Sequence, residues 1–344
     1  MTSVISGSWV TKHCLNPNLT QSTWDLSIAA CDAVNATDPN SPTPSRHYNA
    51  MVAGLSLRNG KHLRAPMDKK LRAGHNLFKQ KDGRNAMQAS TSAASARKLA
   101  MDPEEWKTRV DLAAAFRLAA LQNWDELLFA HLSARVPGHP NQFLMHPAAI
   151  LFEEVTASNL HKLDERCNHV EPSDELPHKF AFPFHKGIYD AFPQAQCVVH
   201  LHTKYATAVA MQEQGLIPGN QYALWLGPIG YHDYEGLLST DEEGQRLAKN
   251  FGNKQIVLQR GHGFVLWGHT IHEAYMLAFL VIRACETQVR SMAGGIKPYI
   301  PPQQVLDATI GQARIITDGN APFNQMTWRA LLRKLDRDAP DYKT

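Results

Sequence analysis

Two histidines separated by one residue, His200 and His202, are the residues of this chain whose type and spacing most clearly indicate chemistry. They lie in the segment Gln196-Cys-Val-Val-His-Leu-His-Thr203, where the apolar residues 197–199 predict a β-strand. Because side chains alternate along a strand, both imidazoles point to the same face. Two imidazoles on one face form half of a site for a divalent cation. The alternative is that they are two ordinary polar residues at the end of a strand.

A third candidate ligand is His262, which lies between Gly261 and Gly263 after a predicted strand at residues 255–258. Glycine on both sides lets the backbone turn sharply and lets another group approach closely. A zinc-type site of three histidines with one open position needs a ligand from elsewhere in the fold, and His262 is the best-placed candidate. We therefore expect one divalent ion, with zinc as the first choice and manganese, iron or cobalt as alternatives.

Four groups of motifs follow one another around these histidines and resemble a known family. They are His131-Leu-Ser-Ala-Arg-Val-Pro137, then Phe143-Leu-Met-His-Pro147, then His185-Lys-Gly-Ile-Tyr189 running into the histidine strand, and finally Gln259-Arg-Gly-His-Gly263. In this order they resemble the class II aldolase/adducin family over about residues 104–295. The resemblance implies a three-layer α/β/α fold with a central β-sheet, an assembly that is usually a homotetramer, and a small-molecule substrate.

The resemblance also implies roles for particular residues. His200, His202 and His262 would bind the metal, which in family aldolases is the Lewis acid for a carbonyl and its enediolate. His131 and Ser133, in the first motif, are candidate substrate contacts. His185 is a third candidate, although it could instead support the metal site through a hydrogen bond or be a satisfied structural histidine.

A tyrosine about twenty residues after the histidine pair, Tyr222, resembles in its placement one that family aldolases use as a proton donor across a subunit interface. Tyr231 and Tyr234 compete with it for that role. We expect Tyr222 to be the catalytic tyrosine, and the structural alternative for all three is packing in the core.

The chain departs from the aldolases at the position of their catalytic glutamate. That residue precedes the first histidine of the pair by about nineteen positions, and Ala181 occupies the corresponding place here. Glu175 lies in a similar local pattern six positions too early, and we interpret it as a solvated surface acid. The catalytic base is therefore left open.

The phosphate-binding part of the family pattern is also altered. His146-Pro-Ala-Ala149 stands where a Ser-Gly pair would supply donors, and Ala130 and His131 replace Gly-Asn. These changes match the adducin-like branch of the family rather than the sugar-phosphate aldolases. The adducins themselves are cytoskeletal adaptors, and their head domains generally lack the metal histidines. Because all three histidines are present, we expect a metal-dependent lyase acting on a small, non-phosphorylated oxygenated carbonyl compound. Two alternatives remain, a mononuclear non-haem iron oxygenase acting on an aromatic or hydroxy acid and a non-catalytic adducin-like interaction module.

An alternation of helices and strands must position these residues. Asp102-Pro-Glu-Glu105 predicts the start of a helix that continues to about residue 124. We expect further helices at 182–192, 203–212, 241–251 and 270–292, and strands at 127–136, 142–146, 196–202, 255–258 and 264–267. This alternation predicts a layered α/β domain at residues 101–297, followed by a peripheral tail at 298–344 with a short helix.

The composition is that of a globular protein, but the charge is unevenly divided. Of the 344 residues, the first 100 contain 13 Lys and Arg against 5 Asp and no Glu, whereas the rest carry 22 basic and 27 acidic residues. We expect residues 1–100 to be a polar, basic and largely disordered extension and do not expect it to bind nucleic acid, because its basic residues are scattered. Five cysteines without CxxC spacing, and no secretory signal or membrane span, predict a cytoplasmic protein.

Overall fold

The computed structural model describes residues 101–236 and 239–344 of the chain. Its centre is a sheet of seven strands in the order β3-β2-β1-β4-β7-β6-β5, in which only the β5–β6 pair is parallel. The strands are β1 (His131–Val136), β2 (His139–Met145), β3 (His161–Leu163), β4 (Cys197–Leu201), β5 (Gly230–His232), β6 (Ile256–Gln259) and β7 (Gly263–Gly268).

Eight α-helices accompany the sheet in the described part of the chain. They are α1 (Pro103–Leu121), α2 (Phe182–Ala191), α3 (Lys204–Ala210), α4 (Gln221–Leu226), α5 (Asp241–Phe251), α6 (Ile271–Ser291), α7 (Gln303–Thr317) and α8 (Pro322–Asp338). Short 3₁₀ helices lie at Phe152–Glu154 and Pro340–Lys343. The expected cap of α1 is confirmed, since the Asp102 side chain accepts hydrogen bonds from the backbone N–H groups of Glu104 and Glu105.

The predicted three-layer α/β/α class is confirmed by the way the strands divide their side chains. Val199 and Leu201 of β4 lie in one buried cluster with residues of α1, α3 and α6, whereas Val198 lies in another with residues of α2 and α5. Because side chains alternate along a strand, the same sheet supplies both cores. β4 is a central strand, so His200 is anchored by neighbouring strands on both sides.

The region after residue 297 differs from the expected peripheral tail with a short helix. It contains α7 and α8, of 15 and 17 residues, and Trp328, Leu335 and Tyr342 are buried in the core that contains α1 and α6. The signal that sequence reasoning missed is the apolar spacing of residues 328, 331, 332 and 335, which places one face of α8 against the core. The proposed domain boundary at 297 remains a prediction.

The extension predicted for residues 1–100 lies outside the described residues. Among the residues that are described, none of the helices combines the length and the apolar character that crossing a membrane requires.

Candidate metal centre

His200, His202 and His262, here called the metal triad, meet at one end of the sheet. Antiparallel pairing sets His200 beside His131 of β1 on one side and beside Val265 of β7 on the other. His202 follows directly after β4, and His262 lies in the turn between β6 and β7. One ring nitrogen from each histidine lies within 4.8 Å of the others, so the three residues could hold a single ion.

The turn that carries His262 depends on the two glycines beside it. Gly261 has a φ of +66°, in the left-handed region that side chains disfavour. A Cβ atom at position 263 would lie 2.4 Å from the carbonyl oxygen of Leu201, because β7 passes close to the end of β4. The hydroxyl of Thr207 in α3 donates to the carbonyl of His262 at 2.9 Å. The glycines thus bring His262 to the His200–His202 pair, and the threonine holds it there.

The hydrogen bonds of His200 and His202 determine which ring nitrogen of each is free to bind a cation. Nδ1 of His200 donates to the carbonyl oxygen of Phe264 at 3.0 Å, and Nδ1 of His202 donates to the Glu126 carboxylate at 2.9 Å. Because a neutral imidazole carries only one proton, the Nε2 atom of each ring is unprotonated and has a free lone pair. The two Nε2 atoms lie 2.7 Å apart. Two lone pairs at this distance repel unless a positive charge lies between them, so the donor set fits a bound cation.

Burial keeps these imidazoles neutral and able to coordinate. It lowers the pKa of His200 well below its usual range, and the neighbouring His202 and His262 add to the effect. Burial also lowers the pKa of His262 to about 4 and lowers the pKa of His202, although the hydrogen bond that His202 donates to Glu126 opposes the shift for His202. Glu126 with His202 is a carboxylate–histidine pair of the kind that orients a metal ligand and increases its basicity.

Sequence reasoning missed Glu126. It lies five residues before His131, and antiparallel pairing of β1 with β4 carries the chain before β1 past the end of β4, where His202 lies. The only indication in the sequence was an acidic residue just before the first strand. Its proximity to His202 can be inferred only when the pairing of β1 with β4 is known.

A cavity of about 950 Å³ opens beside the metal triad, and His202 and His262 form part of its wall. Most of the other side chains in the wall are apolar or aromatic, and two are further histidines. The described residues around it are Glu126, Leu128, Phe129, His131, Ala148, His178, Phe180, Ala181, Phe184, Lys204, Thr207, Tyr234, Gly236, Ser239 and Gly261. A small molecule in this cavity could therefore reach an ion held by the three histidines.

Of the three predicted substrate contacts, only His131 lines this cavity. Its ring stacks on that of His200 with 4.7 Å between centroids. Ser133 and His185 are completely buried behind it, contrary to their predicted contact with substrate. His185 hydrogen-bonds to Nδ1 of His131 and to the Ser133 hydroxyl, both at 2.6 Å, and that hydroxyl also meets Tyr189 at 2.9 Å. These residues, the His185 network, hold His131 in place.

Ala181, at the position of the family glutamate, and Glu175, the acidic residue before it, lie in different surroundings. Ala181 precedes α2 and lies in the cavity wall, so the place of the family glutamate faces the site but carries no acid–base group. Glu175 is exposed and lines a different surface depression, with Ser158, His161 and Ser173. It does not line the cavity beside the metal triad.

The three candidate tyrosines lie in different places. Tyr234 lines the cavity, with its ring centroid 5.9 Å from that of His262. Tyr231 hydrogen-bonds to the backbone N–H of Leu216, and Tyr222 lies on α4 beside Arg283 and Arg290 in a separate depression. Within one subunit, therefore, the structure does not bring Tyr222 to the metal triad.

The fold and the site together define an α/β domain in which three clustered histidines could hold a divalent metal ion. The chain belongs to the family described as Class II Aldolase and Adducin N-terminal domain, whose model matches residues 110–289. This confirms the resemblance drawn from the four groups of motifs.

Relatives and solved structures agree with this membership. A Pseudomonas aeruginosa protein whose name places it with the class 2 aldolases is 37% identical over 241 residues, which cover 70% of this chain and 93% of that protein. A crystal structure of an aldolase II superfamily protein from Pseudomonas syringae is 36% identical, with a TM-score of 0.69, and covers 73% of this chain and all of that one. An L-fuculose 1-phosphate aldolase from Glaciozyma antarctica shares the fold at 18% identity and a TM-score of 0.61, covering 70% of this chain and 93% of that one.

The adducin side of the family is represented as well. Alpha-adducin of Rattus norvegicus is 38% identical over 203 residues, which are 58% of this chain but only 28% of that protein. The chain therefore corresponds to a limited part of the adducins and to nearly all of the two bacterial proteins described above.

Proposed function

We propose that this protein is a metal-dependent lyase of the class II aldolase type that acts on a small, non-phosphorylated oxygenated carbonyl compound. The observation that carries the proposal is the pair of bare Nε2 atoms of His200 and His202, which face each other beside an open cavity. A purely structural histidine cluster would satisfy its own hydrogen bonds. These two direct their lone pairs at one point.

Different residues would bind the metal, orient one of its ligands and contact the substrate. His200, His202 and His262 would hold the metal, with zinc as the first choice, and Glu126 would orient His202. When bound, a divalent cation supplies a Lewis acid that polarises a carbonyl oxygen. His131 is held beside the triad by the His185 network, where it can contact a substrate oxygen.

The wall of the cavity supports a substrate without a phosphate group. Lys204 is the only lysine or arginine among the described residues that line it. Phosphate groups are usually held by several convergent donors, such as arginines or a nest of backbone N–H groups. Ala148 and Ala181 add no side-chain donor, whereas Phe129, Phe180 and Phe184 offer apolar surface. A single carboxylate or hydroxyl near Lys204 suits this environment better.

We also propose a homotetramer in the cytoplasm. Apolar side chains are exposed around the mouth of the cavity, with Leu127, Phe129 and Phe180 each more than 60% accessible. A neighbouring subunit would cover them, and could bring Tyr222 to the site of its partner. The described cysteines, Cys167, Cys197 and Cys285, are all free and buried, which suits a reducing compartment. Light scattering at micromolar concentration tests the assembly, and a monomer with a full complement of metal would contradict it.

The reaction is tested by screening zinc-loaded protein, without oxygen, against β-hydroxy carbonyl compounds offered in phosphorylated and non-phosphorylated pairs. NMR detection of the aldehyde or ketone fragment reports cleavage. We expect cleavage of a non-phosphorylated member that is abolished in His202→Ala and retained in His169→Ala, because His169 lies away from the cavity. Oxygen consumption by the Fe(II)-loaded protein with an aromatic acid, and no cleavage, would instead support the oxygenase.

A further inference from the structure

A second pair of histidines beside the cavity is joined by a hydrogen bond that the metal triad does not use. Nε2 of His178 lies 3.1 Å from Nε2 of His146. His178 lines the cavity, whereas His146 is buried between Phe116 and Phe152 and does not reach it. These two residues are called the His146–His178 pair below.

The environment of the pair determines where its protons lie. Burial lowers the pKa of His178 to about 4 and that of His146 well below its usual range, so both rings are neutral near pH 7. Only one proton can lie between the two Nε2 atoms. The Nδ1 atom of His146 is buried and has no hydrogen-bond partner among the described residues.

An unpartnered buried N–H is rarer in proteins than an under-satisfied acceptor, which favours a bare Nδ1 on His146. The proton of His146 is then on Nε2 and is donated to Nε2 of His178. His178 must therefore carry its own proton on Nδ1. The two nitrogens of an imidazole point in divergent directions, and Nδ1 of His178 has no partner among the described residues, so this N–H is left for a molecule in the cavity.

We infer that His178, held by His146 in the Nδ1–H form, is a neutral hydrogen-bond donor to a substrate oxygen in the cavity beside the metal triad. The inference rests on the proposed function and extends it to a residue outside the family motifs. His178 lies three positions before Ala181, and its carbonyl accepts from the N–H groups of Ala181 and Phe182. The side chains of His178 and Ala181 line the same wall. A neutral donor thus stands next to the place where the family glutamate is missing.

A donor of this kind stabilises negative charge that develops on a substrate oxygen, and it does so without a change in its own charge. His131, the other histidine of the wall outside the metal triad, is a poorer candidate because it stacks on His200. The groups that face His178 are His146, His131 and His185. All three are histidines whose pKa is lowered by burial. Glu126, the one carboxylate among the described residues of the wall, is the acceptor for His202.

The test uses the full-length zinc-loaded protein and acetohydroxamate, a small ligand that binds metals through two adjacent oxygens. We expect His178→Phe to weaken acetohydroxamate binding in calorimetry about tenfold, since a hydrogen bond to a charged group is lost. His178→Gln, which keeps an N–H donor, should lose less. Zinc content should stay at the wild-type value in both variants, which a general loss of structure would not allow.

His146 is a positioning residue and needs its own readout. His146→Phe should fit beside Phe116 and Phe152. Without the hydrogen bond from His146, His178 is no longer held in the Nδ1–H form, so acetohydroxamate binding should weaken. His146→Gln, which keeps an N–H donor, should retain most of the wild-type affinity. The matched control is His169→Phe, which breaks a histidine–histidine hydrogen bond of the same 3.1 Å length away from the cavity and should change nothing.

Neutron diffraction from a crystal of the full chain decides the tautomer independently of any ligand. A proton on Nδ1 of His178 supports the inference, and a proton on Nε2 overturns it. Acetohydroxamate binding that is unchanged in His178→Phe also overturns it. A wild-type protein that binds neither zinc nor acetohydroxamate would contradict the proposed function, and the neutron result would still decide the state of the His146–His178 pair.

Discussion

Two groups of histidines in this fold use their ring nitrogens in opposite ways. In the His185 network and the His146–His178 pair, the rings bond to one another or to a hydroxyl. In the metal triad, His200 and His202 donate outward, to a backbone carbonyl and to Glu126, and turn bare nitrogens towards a shared point. The comparison indicates that an outward partner on one ring nitrogen, as in His200 and His202, leaves the other nitrogen available to a cation, whereas histidines that bond to one another use that nitrogen within the protein.

The largest expected effect concerns the histidines that are buried as neutral rings. Burial lowers the pKa of His185 to about 3 and that of His178 to about 4, whereas in the unfolded chain both titrate near 6.5. The unfolded state therefore binds more protons below pH 6.5, and stability is present above that value and lost as the pH falls towards 4. From pH 7.5 to pH 5 these two residues should lower the free energy of unfolding by about 4 kcal/mol together.

Urea denaturation of metal-free protein at the two pH values measures this effect. The variant His178→Gln serves as a control because it removes one of the two titrating groups. Its stability should fall less between pH 7.5 and pH 5 than that of the wild type. An equal fall in both proteins would show that His178 is not a buried neutral ring.

The next effect is the loss of the His185 network. His185→Ala removes a completely buried ring, leaves Nδ1 of His131 without its partner and removes one of the two hydrogen bonds of the Ser133 hydroxyl, so the free energy of unfolding should fall by about 3 kcal/mol. In metal-free protein, His202→Ala should change stability much less, because it removes one of two opposed lone pairs. Chemical denaturation of His185→Ala and His202→Ala measures this difference in the free energy of unfolding. Equal losses in the two variants would contradict the distinction between the His185 network and the metal triad.

Removing the metal should lower the melting temperature only in proteins whose metal triad is intact. When free zinc is 100 times the dissociation constant, binding to the folded state stabilises the protein by about 2.7 kcal/mol. Wild-type protein should therefore melt at a lower temperature after chelation. His202→Ala should melt at the same temperature with or without zinc, and His185→Ala should still respond to zinc.

The smallest effect concerns the residue that orients a ligand. Glu126→Gln leaves His202 without its carboxylate acceptor, so zinc affinity should fall about 10-fold to 100-fold. Glu175→Gln is the matched control, because it changes an exposed acid that lines a different depression. Competition titration with a chromogenic chelator measures both, and a similar loss of affinity in the two variants would contradict the assigned role of Glu126.

Much of the fold was predictable because its main elements carry strong local signals. The histidine strand, the capped helix α1 and the long helix α6 were found from apolar patterns and caps. The strands β3 and β5 were missed because three residues are too few to show a period. A short helix was expected after residue 297, but the length of α8 and the apolar stripe that packs it against the core were missed.

The site was predictable only where its chemistry lies close together in the sequence. The spacing of His200 and His202 indicated ligands, and Gly261 and Gly263 indicated His262. Glu126 depends on the pairing of β1 with β4, and the His146–His178 pair joins residues 32 positions apart, so neither contact leaves a local pattern. The burial of Ser133 and His185 likewise follows from packing behind His131 and not from their motifs.

The central claim is that His200, His202 and His262 bind one divalent ion. The most direct measurement is calorimetric titration of zinc into metal-free, full-length wild-type protein, compared with His200→Ala, His202→Ala, His262→Ala and the control His169→Ala. We predict one zinc ion per chain in the wild type and the control, and loss of that site in each of the three triad variants. A wild-type chain that binds no zinc, or a site that survives all three substitutions, would contradict the claim.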